Sequence, residues 1–337
     1  MTVDSSVYAL PYLETPLVPS LYLSEQTGSK VLLKLELCQP SGSFKSRGLG
    51  NLVYRTVSSA PPGSVFHFFS PSGGNAGCAT AYASKLYNQK CTVCVPSTTN
   101  PVMVERIRKT GANVVVHGQS IADAEKHIKE VLMPLSEEPA VFCHPYNNDL
   151  VWEGNSTMAH EIVKQFSGRG RPDAVVCSVG GGGMYNGIVQ GFEHYGWTDV
   201  PIVAVETEGC ATLSASIKSG GKQIRVERPN TIATSLSTVD VTTQTIDYAM
   251  NQHPTYSTVV SDAEAAEACL RFAGDHKLMI EAACGTALAP LYTGKLQEIL
   301  PDLGPDSVVV VIVCGGTSVS RQILEDYAKK FNLDIPF

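Results

Sequence analysis

The sequence predicts an α/β protein with two domains, each built on a mostly parallel twisted sheet flanked by helices. Short apolar runs alternate with helix-like segments along most of the chain, and several of these runs end in glycine-rich turns. Strands and helices in alternation are typical of parallel sheets covered on both faces. The stretch from Ser307 to Val313 is too uniformly apolar to be half-exposed, so we expect it in the middle of a sheet.

Composition argues against several classes of function. The chain has 337 residues, of which 43% are apolar, and a formal net charge of −7. It has no basic patch interleaved with aromatic residues, so nucleic acid is not expected as a partner. No apolar run reaches the ~18 residues of a membrane span. The N-terminus lacks a basic segment followed by an apolar one, so we expect a cytoplasmic protein whose ten cysteines are reduced.

A segment around Lys45 has the features of a nucleophile site. The strand-like run Val31–Leu37 precedes it and a helix-like run follows, while Pro40 and Gly42 break the chain between them. We expect Ser43 to cap the helix and Lys45 to lie in its first turn, where the helix dipole disfavours the ammonium form. A lysine that loses its proton readily is the ordinary nucleophile for a Schiff base. Taken alone, the pattern also fits a solvated lysine after a turn.

The segments up to about residue 143 alternate between strand and helix. The expected strands are Val65–Phe69, Cys91–Val95, Val114–Val116 and Ala140–Cys143. The loop Ser70–Gly77 lies between the first strand and a helix of small residues, an arrangement that aims backbone N–H groups at an anion. Cys91 and Cys94 have the spacing of a metal or redox pair, but no second pair matches them, which favours packing within a strand.

The second half repeats the pattern after a connection expected at residues 147–154. A strand, Ala174–Val179, leads into Gly180, Gly181, Gly182 and Gly183 and then into a helix. Four consecutive glycines leave the backbone bare, and a phosphate is the ligand that fits such a turn. Simple flexibility is the alternative, but both flanks are strongly patterned. The strand Ile202–Val205 ends at Glu206, and the first thirty residues are expected to form an irregular arm.

Four glycine-bearing turns are expected at the carboxyl ends of strands, which is where open α/β sheets bind their ligands. They are the turns around Lys45, Asn75, Gly180–Gly183 and Cys314. One lysine, one phosphate cradle and one loop of carboxylate size suggest a phosphorylated aldehyde as cofactor, and pyridoxal phosphate fits that description.

With these motifs in order, the chain resembles the fold-type II pyridoxal-phosphate enzymes, and within them the catabolic L-serine/L-threonine dehydratases of animals and fungi. The resemblance covers nearly the whole length. The motifs that carry it are Pro40–Gly48, Ser72–Gly77, Val179–Gly183, Val205–Thr207, Ala283–Gly285 and Val313–Gly316. It implies a large cofactor-binding domain of residues 1–38 and 152–337. The smaller domain, residues 39–151, is expected to carry the substrate-carboxylate loop.

The resemblance implies a role for each motif. Lys45 would form the Schiff base, Phe44 would pack on the cofactor ring, Asn75 would bind the ring hydroxyl, and Cys314 would lie beside the pyridine nitrogen. The cofactor phosphate would bind the backbone of Gly180, Gly181, Gly182 and Gly183. The substrate carboxylate would bind around Ser72, Gly73, Asn75 and Ala76.

The resemblance also implies an activity. Lys45 would remove the α-proton of the amino acid, the β-hydroxyl would leave as water, and serine or threonine would yield pyruvate or 2-oxobutanoate plus ammonia. Related serine racemases have a serine at the position of Gly73, whose hydroxyl can return a proton to the α-carbon. Glycine has no such group, so dehydration is favoured over racemisation. Other fold-type II lyases remain alternatives.

Family members also bind a monovalent cation such as potassium, and they are homodimers. The matching cation positions are Glu206, Cys210, Thr212, Leu236 and Thr238. Glu206 at a strand end could equally be a solvated carboxylate. The chain departs from the family pattern at Ala282, where proline is usual, and at Ser237, where glycine is usual. The second departure puts the cation geometry in doubt.

Two alternatives come from other classes. In an NAD-dependent dehydrogenase, Gly181 and Gly183 would follow a strand, and Glu206 would contact a ribose at roughly the expected spacing. The third glycine, Gly187, is misplaced for that fingerprint, and Lys45 would have no role. In a binding module without catalysis, replacing Lys45 by alanine would change nothing measurable.

Overall fold

The computed structural model describes residues 9–336, which form two compact units. The first unit consists of Gln39–Gly154 together with the described residues up to Leu13. The second consists of Glu14–Cys38 and the described chain from Asn155 onward. This division differs from the expected domains in the assignment of residues 9–13 and of 152–154, and the roles of the two domains stay predictions.

The described residues form strands in both units. In chain order the strands are β1 (Leu17–Pro19), β2 (Lys30–Leu35), β3 (His67–Ser70), β4 (Lys90–Val95), β5 (Asn113–Val116), β6 (Ala140–Phe142), β7 (Ala174–Ser178), β8 (Ile202–Thr207), β9 (Thr255–Val260) and β10 (Val308–Val313).

Helices follow most of the strands. In chain order the helices are α1 (Leu21–Thr27), α2 (Lys45–Ser58), α3 (Asn75–Leu86), α4 (Pro101–Lys109), α5 (Ile121–His127), α6 (Asp149–Phe166), α7 (Gly183–His194), α8 (Thr212–Lys218), α9 (Thr243–Asp247), α10 (Asp262–His276), α11 (Ala282–Thr293), α12 (Lys295–Ile299) and α13 (Arg321–Phe331). Short π-helical turns extend α5 and α9.

The first unit has a four-stranded parallel sheet in the order β5-β4-β3-β6. Successive residues of a strand point to opposite faces, and the unit uses both. Phe68 packs on one side with Ala79 of α3 and residues of α2. Phe69 packs on the other side with Ala124 of α5. Cys91 and Cys94 are buried in β4 as free thiols, which confirms that they pack within a strand.

The second unit has a six-stranded sheet in the order β1-β2-β10-β7-β8-β9, parallel except for β1. Strand β10 lies between β2 and β7, so its predicted central place is confirmed. The fold class is confirmed with it.

A buried ion pair joins this sheet to α6. In β2, the Lys34 side chain is fully buried, and its Nζ lies 2.6 Å from a carboxylate oxygen of Glu161 in α6. Breaking such a pair costs about 3–5 kcal/mol because one charge is left buried alone.

Several expectations about local structure were wrong. The first thirty residues contain β1 and α1, and α6 begins at Asp149 inside the stretch expected to be a connection. Strand β9 was not predicted. Ser43 does not cap α2: the residue at the cap position is Phe44, and the buried Ser43 hydroxyl has no hydrogen-bond partner among the described residues. No helix in the described residues is both long and apolar enough to cross a membrane.

A buried histidine makes the stability of the second unit depend on pH. His253 is 4% exposed, and its Nε2 lies 2.8 Å from the carbonyl oxygen of Val200, which can only accept a hydrogen bond. Burial lowers the pKa of His253, against smaller opposing effects of the Val200 carbonyl and Asp199. The folded protein therefore holds a neutral ring that the unfolded chain protonates near pH 6.5, so its contribution to stability is lost as pH falls.

Thermal unfolding checks this expectation. The Tm of the parent protein should fall between pH 7.5 and pH 5.5, and the fall should be smaller in His253→Gln, which keeps an N–H donor without a titrating ring. The control is Gln252→Ala, at the exposed neighbouring residue, which keeps the titrating ring of His253 and should follow the parent. A fall in His253→Gln as large as the parent's would contradict the assignment.

Candidate active site

In the first unit, Lys45 is the first residue of α2, so its predicted place in the first turn is confirmed. Its Nζ donates a hydrogen bond of 2.6 Å to the carbonyl oxygen of Pro145 and lies 4.9 Å from the centroid of the Phe44 ring. Pro145 follows the end of β6. The amine therefore lies at the carboxyl edge of the sheet, where open α/β sheets bind ligands.

Serine hydroxyls fix the turn before Lys45. The Ser46 hydroxyl accepts a 3.1 Å hydrogen bond from the backbone N–H of Ser41 and lies 2.7 Å from the Ser41 hydroxyl. Both serines are buried. These bonds tie the loop before Lys45 to the first turn of α2, whereas the predicted Ser43 cap would have accepted a hydrogen bond from a helix N–H.

The second motif of the first unit, Ser72–Gly77, joins β3 to α3. The backbone N–H of Gly74 donates to the Ser72 hydroxyl at 3.3 Å, and α3 starts at Asn75. A Cβ on Gly77 would lie 1.9 Å from the carbonyl oxygen of Ser72, so the loop closes tightly on the first turn of the helix. The first N–H groups of a helix have no partner inside it and attract anions. Asn75 and Ala76 are buried at this end.

In the second unit, Gly180–Gly183 form the turn between β7 and α7. Gly182 has a φ of +91°, and a Cβ there would lie 1.9 Å from the Thr245 hydroxyl oxygen. A Cβ on Gly180 would lie 3.0 Å from Cα of Leu236. Larger residues would therefore fill this cradle. Its bare backbone and the first N–H groups of α7 fit a phosphate, which supports the predicted binding group.

Side chains that the sequence motifs did not indicate hold this cradle in shape. The Thr245 hydroxyl donates to Oδ1 of Asn186 at 2.7 Å, and the Asn186 amide donates to the Thr242 hydroxyl at 3.1 Å. The amide of Asn155 donates to the carbonyl oxygen of Gly183 at 2.9 Å. All four side chains are buried. The only sequence signal was the Thr242 cap of α9, which by itself indicates a helix start and no ligand.

Cys314 follows β10 and forms a pair with a second thiol. Its Sγ lies 3.2 Å from Sγ of Cys284, and the backbone N–H of Gly315 donates to the Cys284 sulfur at 3.1 Å. Burial raises the pKa of Cys284, so that thiol stays protonated. A buried pair of thiols at a strand end offers a cofactor only weak hydrogen-bonding groups.

Glu206 is fully buried, so the interpretation as a solvated carboxylate was wrong. Its two oxygens accept from the backbone N–H groups of Leu213 and Ser214 at 2.8 and 2.7 Å. Burial raises the pKa of Glu206 to about 7, although those hydrogen bonds act in the opposite direction.

The other predicted cation ligands lie in the same unit. The Cys210 sulfur is 3.0 Å from the carbonyl oxygen of Leu236 and 3.2 Å from that of Thr238. The Thr212 hydroxyl is buried and has no hydrogen-bond partner within residues 9–336, and the buried Thr238 hydroxyl lies beside the Cys210 thiol. In that part of the chain, no cluster of three or more His, Cys, Asp or Glu residues could hold a metal ion. Carbonyl and hydroxyl oxygens are donors for hard cations rather than for zinc.

The chain has parallel sheets with glycine turns at their carboxyl edges, and a lysine lies at one such edge. This combination is typical of α/β enzymes that bind a phosphorylated cofactor. Residues 8–315 match the protein family described as pyridoxal-phosphate dependent enzymes. The chain belongs to this family, and its architecture is that of fold type II. This assignment removes the basis for the NAD-dependent dehydrogenase alternative, which competed for the same glycine turn.

Individual relatives are similar over nearly the whole chain. The catabolic L-serine/threonine dehydratase of Saccharomyces cerevisiae is 38% identical over 330 residues, covering 94% of this chain and 91% of that protein. The mouse L-serine dehydratase/L-threonine deaminase is 38% identical over 323 residues, covering 93% and 94%. The crystal structure of a fungal L-serine ammonia-lyase from Rhizomucor miehei has a TM-score of 0.89 at 36% identity, covering 95% and 99%.

Proposed function

We propose that this protein is a pyridoxal-phosphate-dependent lyase that deaminates L-serine and L-threonine to pyruvate or 2-oxobutanoate plus ammonia. The observation that carries the proposal is Lys45 at the start of α2, at the carboxyl edge of a parallel sheet, in a chain of this family. Relatives with dehydratase names are similar over more than nine-tenths of the chain.

We propose a role toward the cofactor for residues of each unit. Lys45 would hold it covalently, Phe44 would pack on its ring, and Asn75 would bind the ring hydroxyl. The backbone of Gly180–Gly183 would bind the phosphate. When bound, pyridoxal phosphate supplies an electron sink that makes the α-proton of an amino acid acidic. On this proposal the unit around Gly180–Gly183 is the cofactor-binding domain, and the unit around Ser72–Gly77 is the substrate domain.

The protein side chains would bind and move protons. The substrate carboxylate would bind at the start of α3, among Ser72, Gly73, Asn75 and Ala76, because the first N–H groups of that helix favour an anion. The amine of Lys45 would take the proton from the α-carbon as general base, a role that contributes about 10²- to 10⁴-fold. Cys314 would contact the pyridine nitrogen through its sulfur, a weak hydrogen-bonding group that holds a proton there less firmly than a carboxylate does.

Substrate turnover tests the proposed activity directly. Purified protein supplied with pyridoxal phosphate should release keto acid and ammonia from L-serine and L-threonine. L-Alanine is the control, because it has no β-hydroxyl to leave. Keto acid from neither hydroxy amino acid, in folded protein that carries the cofactor, would contradict the proposal.

Serine racemisation is a second candidate, since the hydroxyl of Thr99 lies 2.8 Å from where a Cβ on Gly73 would be. A hydroxyl is thus present near Gly73 although glycine brings none. Chiral analysis of the remaining serine distinguishes the two activities. We expect keto acid to accumulate without D-serine, and D-serine formed faster than keto acid would favour the racemase.

We also propose a monovalent-cation site at Glu206, Cys210, Thr212, Leu236 and Thr238. The unpartnered hydroxyl of Thr212 and the carbonyl oxygens of Leu236 and Thr238 beside Cys210 support it. Potassium at 100 times its Kd would stabilise the folded protein by about 2.7 kcal/mol.

A comparison of salts tests the cation site. Potassium chloride should raise the Tm of the parent by several degrees above choline chloride at equal ionic strength, and Glu206→Gln should lose most of this difference. The control is Glu208→Gln, two residues away and exposed, which should keep it. A potassium effect that is equal in both variants would rule out this site.

We further propose a cytoplasmic homodimer. The family resemblance carried by the sequence motifs implies the homodimer, and light scattering of the purified protein measures the oligomeric state. A monomer at micromolar concentration, with full activity, would refute the dimer.

A further inference from the structure

Thr99 lies beside the substrate loop but was not predicted to belong to it. It follows β4, and Ser72–Gly77 follows β3, the neighbouring parallel strand, so both segments leave the sheet at its carboxyl edge. The Thr99 backbone N–H donates to the Pro96 carbonyl at 3.0 Å. The next residue, Asn100, caps α4 through its side chain. Thr99 is therefore held between a turn and a helix start.

The side chain of Thr99 fills the space above Gly73. A Cβ on Gly73 would lie 2.4 Å from Cγ2 of Thr99 and 2.8 Å from its hydroxyl oxygen. The neighbouring Gly74 has open space, since its nearest contact would be the Ser72 hydroxyl oxygen at 3.9 Å. Neither glycine has a positive φ. Any side chain at residue 73 would therefore have to displace the Thr99 side chain.

The hydroxyl of Thr99 is available to a ligand. The residue is half-buried, and within residues 9–336 its hydroxyl makes no hydrogen bond to another residue. The adjacent Thr98 is exposed, and its hydroxyl donates to the carbonyl oxygen of Gln119 at 3.4 Å. The Thr98 hydroxyl thus already has a hydrogen-bond partner, whereas the Thr99 hydroxyl is free to donate to a ligand.

We propose that Thr99 is a further binding residue for the amino-acid substrate, donating its hydroxyl to the α-carboxylate beside the N–H groups at the start of α3. This inference rests on the proposed function, because it takes the Ser72–Gly77 loop as the carboxylate site. The methyl group of Thr99 packs on Gly73 and positions the hydroxyl, so the two residues act as one unit. A hydrogen bond to a charged group is among the stronger ones in proteins.

Binding of L-alanine to the cofactor-loaded protein tests the inference without turnover, because L-alanine has no β-hydroxyl to eliminate. Thr99→Val keeps the shape of the side chain and removes the hydroxyl. It should weaken L-alanine binding by about 10- to 100-fold, the loss expected for a hydrogen bond to a charged group. Thr99→Ser restores the hydroxyl without the methyl group that positions it, so it should recover part of this loss relative to Thr99→Val. Thr98→Val is the matched control and should bind like the parent.

Two further measurements make the outcome decisive. 2-Aminoethanol has an amine and no carboxylate, so its binding should be the same in Thr99→Val and in the parent. Gly73→Ala should weaken L-alanine binding in the parent, and should weaken it less in a Thr99→Ala background, where the clashing atoms are gone. That coupling measures the contact even if Thr99→Val folds poorly.

The possible failures can be told apart. If the parent binds L-alanine and Thr99→Val binds it equally well, the inference about Thr99 is wrong while the proposed function stands. If Gly73→Ala and Thr99→Ala are simply additive, the two residues do not act as a unit. If the parent releases no keto acid from serine or threonine, the proposed function fails, whatever the result with L-alanine.

Discussion

Replacing Lys45 by alanine is expected to remove covalent attachment of pyridoxal phosphate and to lower keto-acid release from serine by at least about 10³-fold. Both effects have one physical cause, because the same amine would bind the cofactor aldehyde and take the α-proton, and general base catalysis alone contributes about 10²- to 10⁴-fold. The Lys45 amine contacts the Pro145 carbonyl and the Phe44 ring. Helix α2 contains no other lysine that could replace it.

Lys85→Ala is the matched control for this experiment. Lys85 lies in α3 of the same unit and is exposed, so its removal should change neither cofactor absorbance nor activity. Absorbance of the protein before and after borohydride, with circular dichroism to confirm folding, measures attachment separately from turnover. Activity retained in folded Lys45→Ala would show that another group acts as the base.

Replacing Gly182 by alanine is expected to destroy the phosphate cradle. The residue has a φ of +91°, and its new Cβ would lie 1.9 Å from the Thr245 hydroxyl oxygen. Thr245 is hydrogen-bonded to Asn186 and Thr242, so it cannot move without breaking buried hydrogen bonds. Overpacking typically costs about 1–3 kcal/mol, in addition to about 1–2 kcal/mol for the left-handed backbone. We expect the affinity for pyridoxal phosphate to fall at least about tenfold.

Gly196→Ala separates these two causes. Gly196 has a φ of +70°, and a Cβ on this residue would have no neighbouring atom within 4 Å, so the substitution brings the backbone strain without the clash. Its cost should stay near about 1–2 kcal/mol with unchanged cofactor affinity. Equal losses of cofactor affinity in Gly182→Ala and Gly196→Ala would show that the cradle geometry does not govern phosphate binding.

The parts of the fold that sequence patterns predicted are those set by local chemistry. Strand β10 is an unbroken apolar run, and Ser261 with Glu264 forms a capping box at the start of α10, a motif that four consecutive residues specify. Strand β9 was missed because it is a partly exposed edge strand of mixed polarity. Strand β1 has three residues and α1 has seven, too few to show a period.

The candidate site shows the same division. Lys45 and Gly180–Gly183 were predicted because each lies in a turn with its own local signature. The Thr245–Asn186–Thr242 network was not, because Asn186 in α7 lies 56 and 59 residues from the two threonines at the start of α9, and each member is an ordinary polar residue in its local sequence. The burial of Glu206 depends on the backbone of α8, and the contact of Thr99 with Gly73 depends on the pairing of β3 with β4. Tertiary structure alone reveals such relations.

Covalent attachment of the cofactor to Lys45 is the property on which the proposed activity depends. Borohydride reduction of protein supplied with pyridoxal phosphate, followed by peptide mass spectrometry, tests it most directly. We expect a single pyridoxyl-phosphate tag, carried by the peptide that contains Lys45 and absent without reduction. A tag on a different lysine, or no tag on folded protein that shows the cofactor's absorbance, would contradict this role of Lys45.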